Sequence, residues 1–184
     1  MDLINVLKLR RSVRHYSIKK VAFADISEIC EAGMHAPMAG NIFTVKFIIV
    51  SEKEKIKLLA EACQQPFLTQ APYVIIVYSK LDQIELSYGE RGKIYSRQQA
   101  GAAIENMLLR ATELGLGSCW VGWFDENIVK RICNIPAKFK VEALLPIGKP
   151  LEKPFPKKKP ELNMVTSFEV HDQGMKKPKK KAYD

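Results

Sequence analysis

Three arginines and one serine lie within five residues near the start of the chain, in the segment Arg10-Arg11-Ser12-Val13-Arg14. Guanidinium groups bind phosphate through paired hydrogen bonds, and a hydroxyl adds another donor. In an extended backbone Arg10, Ser12 and Arg14 would project to the same side, because side chains alternate along a strand. The spacing predicts one shared anion site. The alternative is a solvated basic turn, which is the usual fate of such clusters.

A second candidate lies between residues 97 and 124, where a helical pattern leads into a short apolar segment. Apolar residues recur at helical spacing as far as Leu114, and the helix is apolar on most sides, which predicts a buried helix. Residues 118–124 are predicted to form a short inner strand. Gly122 lies inside it, where a glycine lets a flat or bulky group approach the backbone. The alternative is an ordinary core helix followed by an ordinary core strand.

The rest of the chain reads as helices and strands that would hold these two segments in place. Helices are predicted over 2–9, 25–35, 52–63 and 125–133, and buried strands over 45–50, 72–78 and 141–147. The polar residues 81–94 are predicted to form a mobile loop. Residues 164–170 are predicted to be extended and could add a strand to a sheet edge, that of a partner subunit included.

The chain has the length and composition of one globular domain, with 184 residues, 47% hydrophobic and 27% charged. No run approaches the roughly 20 apolar residues that span a bilayer, so no membrane association is expected. The start of the chain has an acid at position 2 and its basic cluster after the apolar residues, the reverse of a secretory signal. Four isolated cysteines are predicted to be reduced core thiols in a cytoplasmic protein.

The net charge of +9 suggests a nucleic-acid partner, but its distribution argues against one. Residues 149–184 hold ten lysines and five acids, so +5 of the +9 lies in the last 36 residues. The Lys-rich segment 176–181 is predicted to be a solvated tail that could touch any polyanion. The remaining body shows no helix-turn-helix or RNA-binding signature, so nucleic acid is not an expected partner.

Five segments taken together resemble the FMN-dependent nitroreductase family, and the resemblance runs from about residue 2 to residue 165. The segments are RRSVRHY at 10–16, APMAGN at 36–41, YGERGKIY at 88–95, ENMLLRATELGLGSCWVGWFDE at 105–126 and LLPIGKP at 144–150. The resemblance implies an α+β fold with a mixed central β-sheet flanked by helices, working as an obligate homodimer. It also implies a flavin-binding domain over 1–165 and a C-terminal extension with the Lys-rich tail over 166–184.

The resemblance further implies an FMN site at the dimer interface, lined by both chains. The arginine turn (Arg10, Arg11, Ser12 and Arg14) would hold the phosphate and ribityl chain. The loop of the other subunit (Pro37, Met38, Ala39, Gly40 and Asn41) would flank the flavin ring. The segment Val121, Gly122 and Trp123 would lie against the isoalloxazine. Lys158 would complete the phosphate site, with Lys157 and Lys159 as possible substitutes.

The activity implied is transfer of electrons from NADH or NADPH through FMN to a small-molecule acceptor such as a nitroaromatic or quinone, by a ping-pong mechanism. Flavin performs the redox chemistry itself, so no catalytic side chain is named. Met38 stands where the family usually has a serine, which leaves a second hypothesis of an FMN-binding or storage relative with little turnover. The third hypothesis, from another class, is polyanion or nucleic-acid binding through the Lys-rich tail.

Overall fold

The computed structural model describes residues 1–151 and 159–171. The chain divides into two compact units, residues 1–154 and 155–184. In the first unit the helices and strands follow in the order α1 Leu3–Leu9, α2 Phe23–Met34, β1 Val45–Val50, α3 Lys53–Cys63, β2 Tyr73–Lys80, α4 Asp82–Tyr88, α5 Glu90–Glu113, β3 Gly117–Ser118, α6 Glu126–Ile132 and β4 Phe139–Gly148. In the second unit a 3-10 turn covers Leu162–Met164.

The four strands form one sheet in the order β1-β2-β4-β3, and the three neighbouring pairs are antiparallel. The family resemblance implied a mixed sheet, with both parallel and antiparallel pairs. In the structure the parallel pairing is a bridge between Ser12 and Ser118, at the edge of the sheet formed by β3. It remains a single bridge because β3 is only two residues long. The α+β class is as predicted, and the arginine turn is joined directly to the sheet.

Helices cover both faces of the sheet, because alternate residues of the buried strands point to opposite sides. Ile75 of β2 belongs to a cluster with Ile104 of α5, and the next residue, Ile76, belongs to a separate cluster with Leu59 of α3. These side chains have no solvent exposure, and burial of each stabilises the fold by roughly 1.5–3 kcal/mol. The long helix α5 is therefore fixed against one face of the sheet.

The prediction of a mobile loop over 81–94 is wrong, because these residues form α4 and the first turns of α5. Ile84 is buried, and the two helices meet at Gly92. A Cβ at Gly92 would lie 2.4 Å from the Ile84 carbonyl oxygen, so only glycine allows this contact. Polar side chains and glycines are typical of loops, which is why the sequence predicted one. In the structure these residues belong to two helices whose backbones come into close contact at Gly92.

The strand predicted over 118–124 is shorter in the structure. Pairing is limited to Gly117–Ser118 and to an isolated bridge between Val121 and Leu144. Gly122 and Trp123 lie beyond it and are exposed. Within the described part of 164–170 there is no strand either.

The four cysteines are free thiols, as predicted. Burial raises the pKa of Cys63 to about 12 and that of Cys30 to about 11, so both thiols stay protonated near neutral pH.

None of the helices in the described ranges is long and apolar enough to cross a membrane.

Candidate functional site

The arginine turn follows directly after α1 and is anchored to the sheet. The Val13 amide donates to the Ser118 carbonyl at 2.8 Å, which aligns the turn with β3. The buried Tyr16 hydroxyl lies 2.8 Å from the Val13 carbonyl and 3.1 Å from the Pro146 carbonyl. Burial raises the pKa of Tyr16 far above its ordinary value, so the phenol remains a neutral hydrogen-bond donor.

The backbone alternation expected of the turn is present. Val13 is buried, whereas Ser12 and Arg14 on either side of it are exposed. Arg10 is partly buried, and its Nε lies 3.0 Å from Oε1 of Glu105 on α5. The turn therefore exposes a hydroxyl and two guanidinium groups while its apolar side chain anchors it.

The guanidinium groups of the turn have different neighbours. Arg14 lies over the Phe67 ring, with 6.0 Å between its Cζ and the ring centroid, in a cation–π arrangement. The Arg11 side chain folds back and donates to the Arg10 carbonyl at 2.7 Å. Arg10 and Arg14 thus have different partners, Glu105 and the Phe67 ring, whereas Arg11 bonds to the backbone of the turn itself.

Ser118 adds a polar group beside the turn that the sequence analysis missed. Its side chain is 2% exposed, and its hydroxyl has no hydrogen-bond partner within residues 1–151 and 159–171. A buried hydroxyl without a partner costs roughly 1–3 kcal/mol. Ser12 and Ser118 form a parallel β-bridge, so the two serines are backbone neighbours.

The Val121–Trp123 segment continues from the same sheet edge. The Val121 amide donates to the Leu144 carbonyl, and the Leu144 amide donates back, each at 3.0 Å. A Cβ at Gly122 would meet no atom closer than Trp120 Nε1, at 3.9 Å, so one side of this backbone is open. Trp123 is 76% exposed.

Helix α5 connects the turn with this open backbone. A Cβ at Gly101 would lie 3.8 Å from the Trp120 ring, and Glu105, one helical turn later, pairs with Arg10. Trp120 in turn lies next to Gly122. Arg10, Gly101 and Gly122 therefore lie around one surface.

The loop over 37–41 lies at another position along α5. It contains a 3-10 turn in which Gly40 and Asn41 both have φ of 57°. A Cβ at Gly40 would lie 2.4 Å from the Tyr88 hydroxyl, so the loop packs against the end of α4. Residues that follow the loop are bound by Gln99, which lies six residues or about 9 Å along α5 from Glu105.

The structure thus brings together the arginine turn and the Val121–Trp123 segment, and it places the 37–41 loop apart from them, against α4 and α5. That the loop meets the flavin site of a partner subunit stays a prediction. Lys158 lies outside the described residues. Glu105, Ser118 and Gln99 were missed because the sequence does not indicate which distant residues their side chains contact.

Known proteins match the chain over most of its length. The sequence profile of the Nitroreductase family matches residues 7–66 and 59–149. A protein of Methanothermobacter thermautotrophicus named NADH dehydrogenase/NAD(P)H nitroreductase is 30% identical, over 84% of this chain and 80% of its own length. An iodotyrosine deiodinase of Thermotoga neapolitana is 28% identical, over 84% of this chain and 91% of its own length.

Solved structures agree with this match. An FMN-dependent nitroreductase from Clostridium difficile is 26% identical and superposes with a TM-score of 0.78, over 91% of this chain and 99% of that chain. The resemblance predicted from five segments is confirmed, and so is the nitroreductase-like α+β fold. The chain belongs to the Nitroreductase family.

Proposed function

We propose that the chain is an FMN-dependent oxidoreductase that takes electrons from NADH or NADPH and passes them to a nitroaromatic, quinone or similar acceptor. Membership of the Nitroreductase family and the names of its relatives support the class of enzyme and the cofactor. The observation that carries the proposal is the bridge between Ser12 and Ser118, which joins the arginine turn to the backbone that leads to Gly122. This bridge places the candidate anion site of the arginine turn beside the open backbone surface at Gly122.

The donors at the turn fit a phosphate. Arg10 uses Nε for Glu105, which leaves both terminal nitrogens of the guanidinium for an anion. Ser12 is exposed beside it, and the Ser118 hydroxyl has no partner among the described residues. Two cations and two hydroxyls suit the phosphate and ribityl oxygens of FMN.

The open backbone fits a flat ring. Gly122 leaves room for close approach, and Val121 is held in place by its paired hydrogen bonds to Leu144. Trp123 is largely exposed next to it and can stack on an aromatic ring.

When bound, FMN supplies the hydride-accepting and electron-donating chemistry. The arginine turn would hold the phosphate, and the Val121–Trp123 segment would support the ring and exclude water from one of its faces. Donor and acceptor would occupy the same open surface in turn, which predicts ping-pong kinetics. A flat aromatic acceptor fits a surface bordered by Trp120 and Trp123.

A homodimer with FMN at its interface is part of the proposal. Helix α1 is anchored by the buried Val6, but its Leu3, Ile4 and Leu7 are 64%, 50% and 45% exposed. An apolar surface of this kind is typical of a protein interface. A partner subunit would cover it and would bring its own 37–41 loop to the flavin.

The second hypothesis, an FMN-binding relative with little turnover, is favoured by Met38, because the loop lacks the usual serine hydroxyl at that position. The polyanion hypothesis rests on residues 176–181, which lie outside the described residues.

The first experiment is the visible absorption spectrum of the purified protein, followed by anaerobic addition of NADH or NADPH. A yellow protein that bleaches supports the oxidoreductase and identifies the donor. A yellow protein that does not bleach supports the binding relative, and a colourless protein that takes up no added FMN contradicts both.

A second experiment tests the phosphate site. We expect the double substitution Arg10→Ala and Arg14→Ala to weaken FMN binding several-fold or more in a protein that stays folded, because a charge-assisted bond contributes about 1.5–3 kcal/mol. Arg131→Ala, at an exposed arginine of α6, is the control. Unchanged FMN affinity in the double variant would contradict the assignment.

A further inference from the structure

The Gln99 side chain binds the backbone that follows the 37–41 loop. Gln99 is 3% exposed, and its Oε1 accepts from the Thr44 amide and from the Thr44 hydroxyl, each at 2.7 Å. Its Nε2 donates to the Ile42 carbonyl at 3.1 Å. One side chain therefore makes three hydrogen bonds to two residues of one short segment.

This pattern is the one that a residue of a parallel strand makes. Such a residue donates to the carbonyl before its opposite neighbour and accepts from the amide after it. Here the opposite neighbour is Phe43, and the side-chain amide of Gln99 takes the place of the backbone. Only Asn and Gln have a side-chain donor and acceptor in this arrangement, and Gln99 is long enough to reach from a helix.

The network continues beyond Gln99 and leaves little freedom to the segment. The Ser96 hydroxyl donates to the Thr44 hydroxyl at 3.0 Å, and both residues are buried. The Lys80 amide donates to the Thr44 carbonyl at 2.9 Å, which attaches the same residue to β2. In a buried network each donor depends on its acceptor, so loss of one partner leaves the other unsatisfied.

The loop is also held at a second point. Gly40 has φ of 57°, and a Cβ there would lie 2.4 Å from the Tyr88 hydroxyl, so it would fit only if that hydroxyl moved. The Tyr88 ring meets the Tyr95 ring edge to face, with centroids 5.3 Å apart. Tyr88 therefore contacts the middle of the loop, and Gln99 binds the backbone at its exit.

We infer that Gln99 is a positioning residue of the flavin site, which sets the conformation of the 37–41 loop by binding Ile42 and Thr44. The inference rests on the proposed function, because it is that function which assigns the loop to the flavin ring. Gln99 acts through the backbone, without contact to flavin or substrate. A site whose loop position is fixed in advance binds its ligand without the cost of ordering the loop.

The test compares Gln99→Leu with the matched variant Gln98→Leu, which changes the exposed neighbour on the same helix. Leucine keeps most of the side-chain volume and removes all three hydrogen bonds. We expect Gln99→Leu to raise the Kd for FMN at least five-fold, to shift the visible absorption bands of bound flavin, and to raise the KM for the acceptor more than it lowers kcat. Gln98→Leu should match the wild type in all three.

Thr44→Val and Ser96→Ala keep the inference testable if Gln99→Leu does not fold. Thr44→Val removes one of the three bonds and keeps the Thr44 amide, so its effect on the Kd should be smaller but in the same direction. Wild-type-like Kd and flavin spectrum in a folded Gln99→Leu, or in Thr44→Val and Ser96→Ala together, would overturn the inference, even with a lowered Tm. Lack of FMN uptake by the wild type would instead overturn the proposed function, and the inference with it.

Discussion

Arg10 Nε lies 3.0 Å from Glu105 Oε1, so the candidate phosphate site contains a carboxylate that competes with a phosphate for the same cation. The side chains are 26% and 40% exposed, and the pair itself is therefore worth no more than about 1 kcal/mol. Repulsion between this carboxylate and a phosphate dianion bound to Arg10 has a similar size. Both effects weaken FMN binding, and the repulsion acts only when FMN is present.

We expect Glu105→Gln to tighten FMN binding by roughly two- to five-fold, because it removes the negative charge and keeps an oxygen that can accept from Arg10. FMN titration followed by fluorescence measures the Kd at low and at high salt. The gain should shrink at high salt, where exposed charges are screened. Weaker binding by Glu105→Gln at low salt would instead mean that the carboxylate charge is needed to orient Arg10.

Gly92 is required where α4 and α5 meet. A Cβ there would lie 2.4 Å from a backbone oxygen of Ile84, which cannot rotate away as a side chain would. We expect Gly92→Ala to lower the free energy of unfolding by about 1–3 kcal/mol, measured by urea denaturation. Gly101→Ala on the same helix is the control. Its Cβ would meet only the Trp120 ring at 3.8 Å, so it should raise stability by up to about 1 kcal/mol. Equal effects of both substitutions would contradict the steric account.

Much of the fold could be predicted from the sequence, because apolar runs and helix signals are local. The strand predicted over 45–50 has those bounds in the structure, and the Asp125 side chain caps α6 by accepting from the Ile128 amide at 3.0 Å. The arginine turn was also recognisable, because its chemistry is contained in five consecutive residues.

The positions of α4 and of the 37–41 loop could not be predicted in the same way. Gln99 binds Thr44 across 55 positions, and Tyr88 meets Gly40 across nearly as many. A polar residue on a helix is usually solvated, and nothing in its neighbours along the chain reveals a distant partner. Gly92 was misleading for the same reason, since close packing of two backbones and a flexible loop both favour glycine.

Gln64 ends α3 in the left-handed conformation, with φ of 54°. Its neighbour Gln65 donates its amide to the Ala60 carbonyl at 3.0 Å, as is typical of a helix end that favours glycine at position 64. We expect Gln64→Gly to raise the free energy of unfolding by roughly 0.5–1 kcal/mol, because it removes the left-handed strain of a side chain. Gln65→Gly, at φ of −128°, should lower it, since glycine there only adds freedom to the unfolded chain. A loss of stability in both variants would contradict this account of the helix end.

Glu126, the first residue of α6, accepts from three donors, two of which lie in β4. Lys130 Nζ lies 2.9 Å from its Oε1, the Val141 amide donates to the same oxygen at 3.2 Å, and Lys140 Nζ binds Oε2. Burial alone would raise the pKa of Glu126, but the hydrogen bonds from Lys130, Lys140 and Val141 outweigh it and lower the pKa below its ordinary value.

A carboxyl group whose pKa is lowered by folding stabilises the protein above its unfolded pKa of about 4.3, and this contribution is lost as the pH falls through the folded value. We therefore expect Glu126→Gln to be less stable than the wild type by roughly 1 kcal/mol at pH 7, with a difference that shrinks below about pH 4. Urea denaturation at pH 7, 5 and 3.5 measures it, and Glu61→Gln on the exposed side of α3 is the control. If the stability curves of wild type and Glu126→Gln stay parallel down to pH 3.5, the three donors do not act on the charged form of this carboxylate.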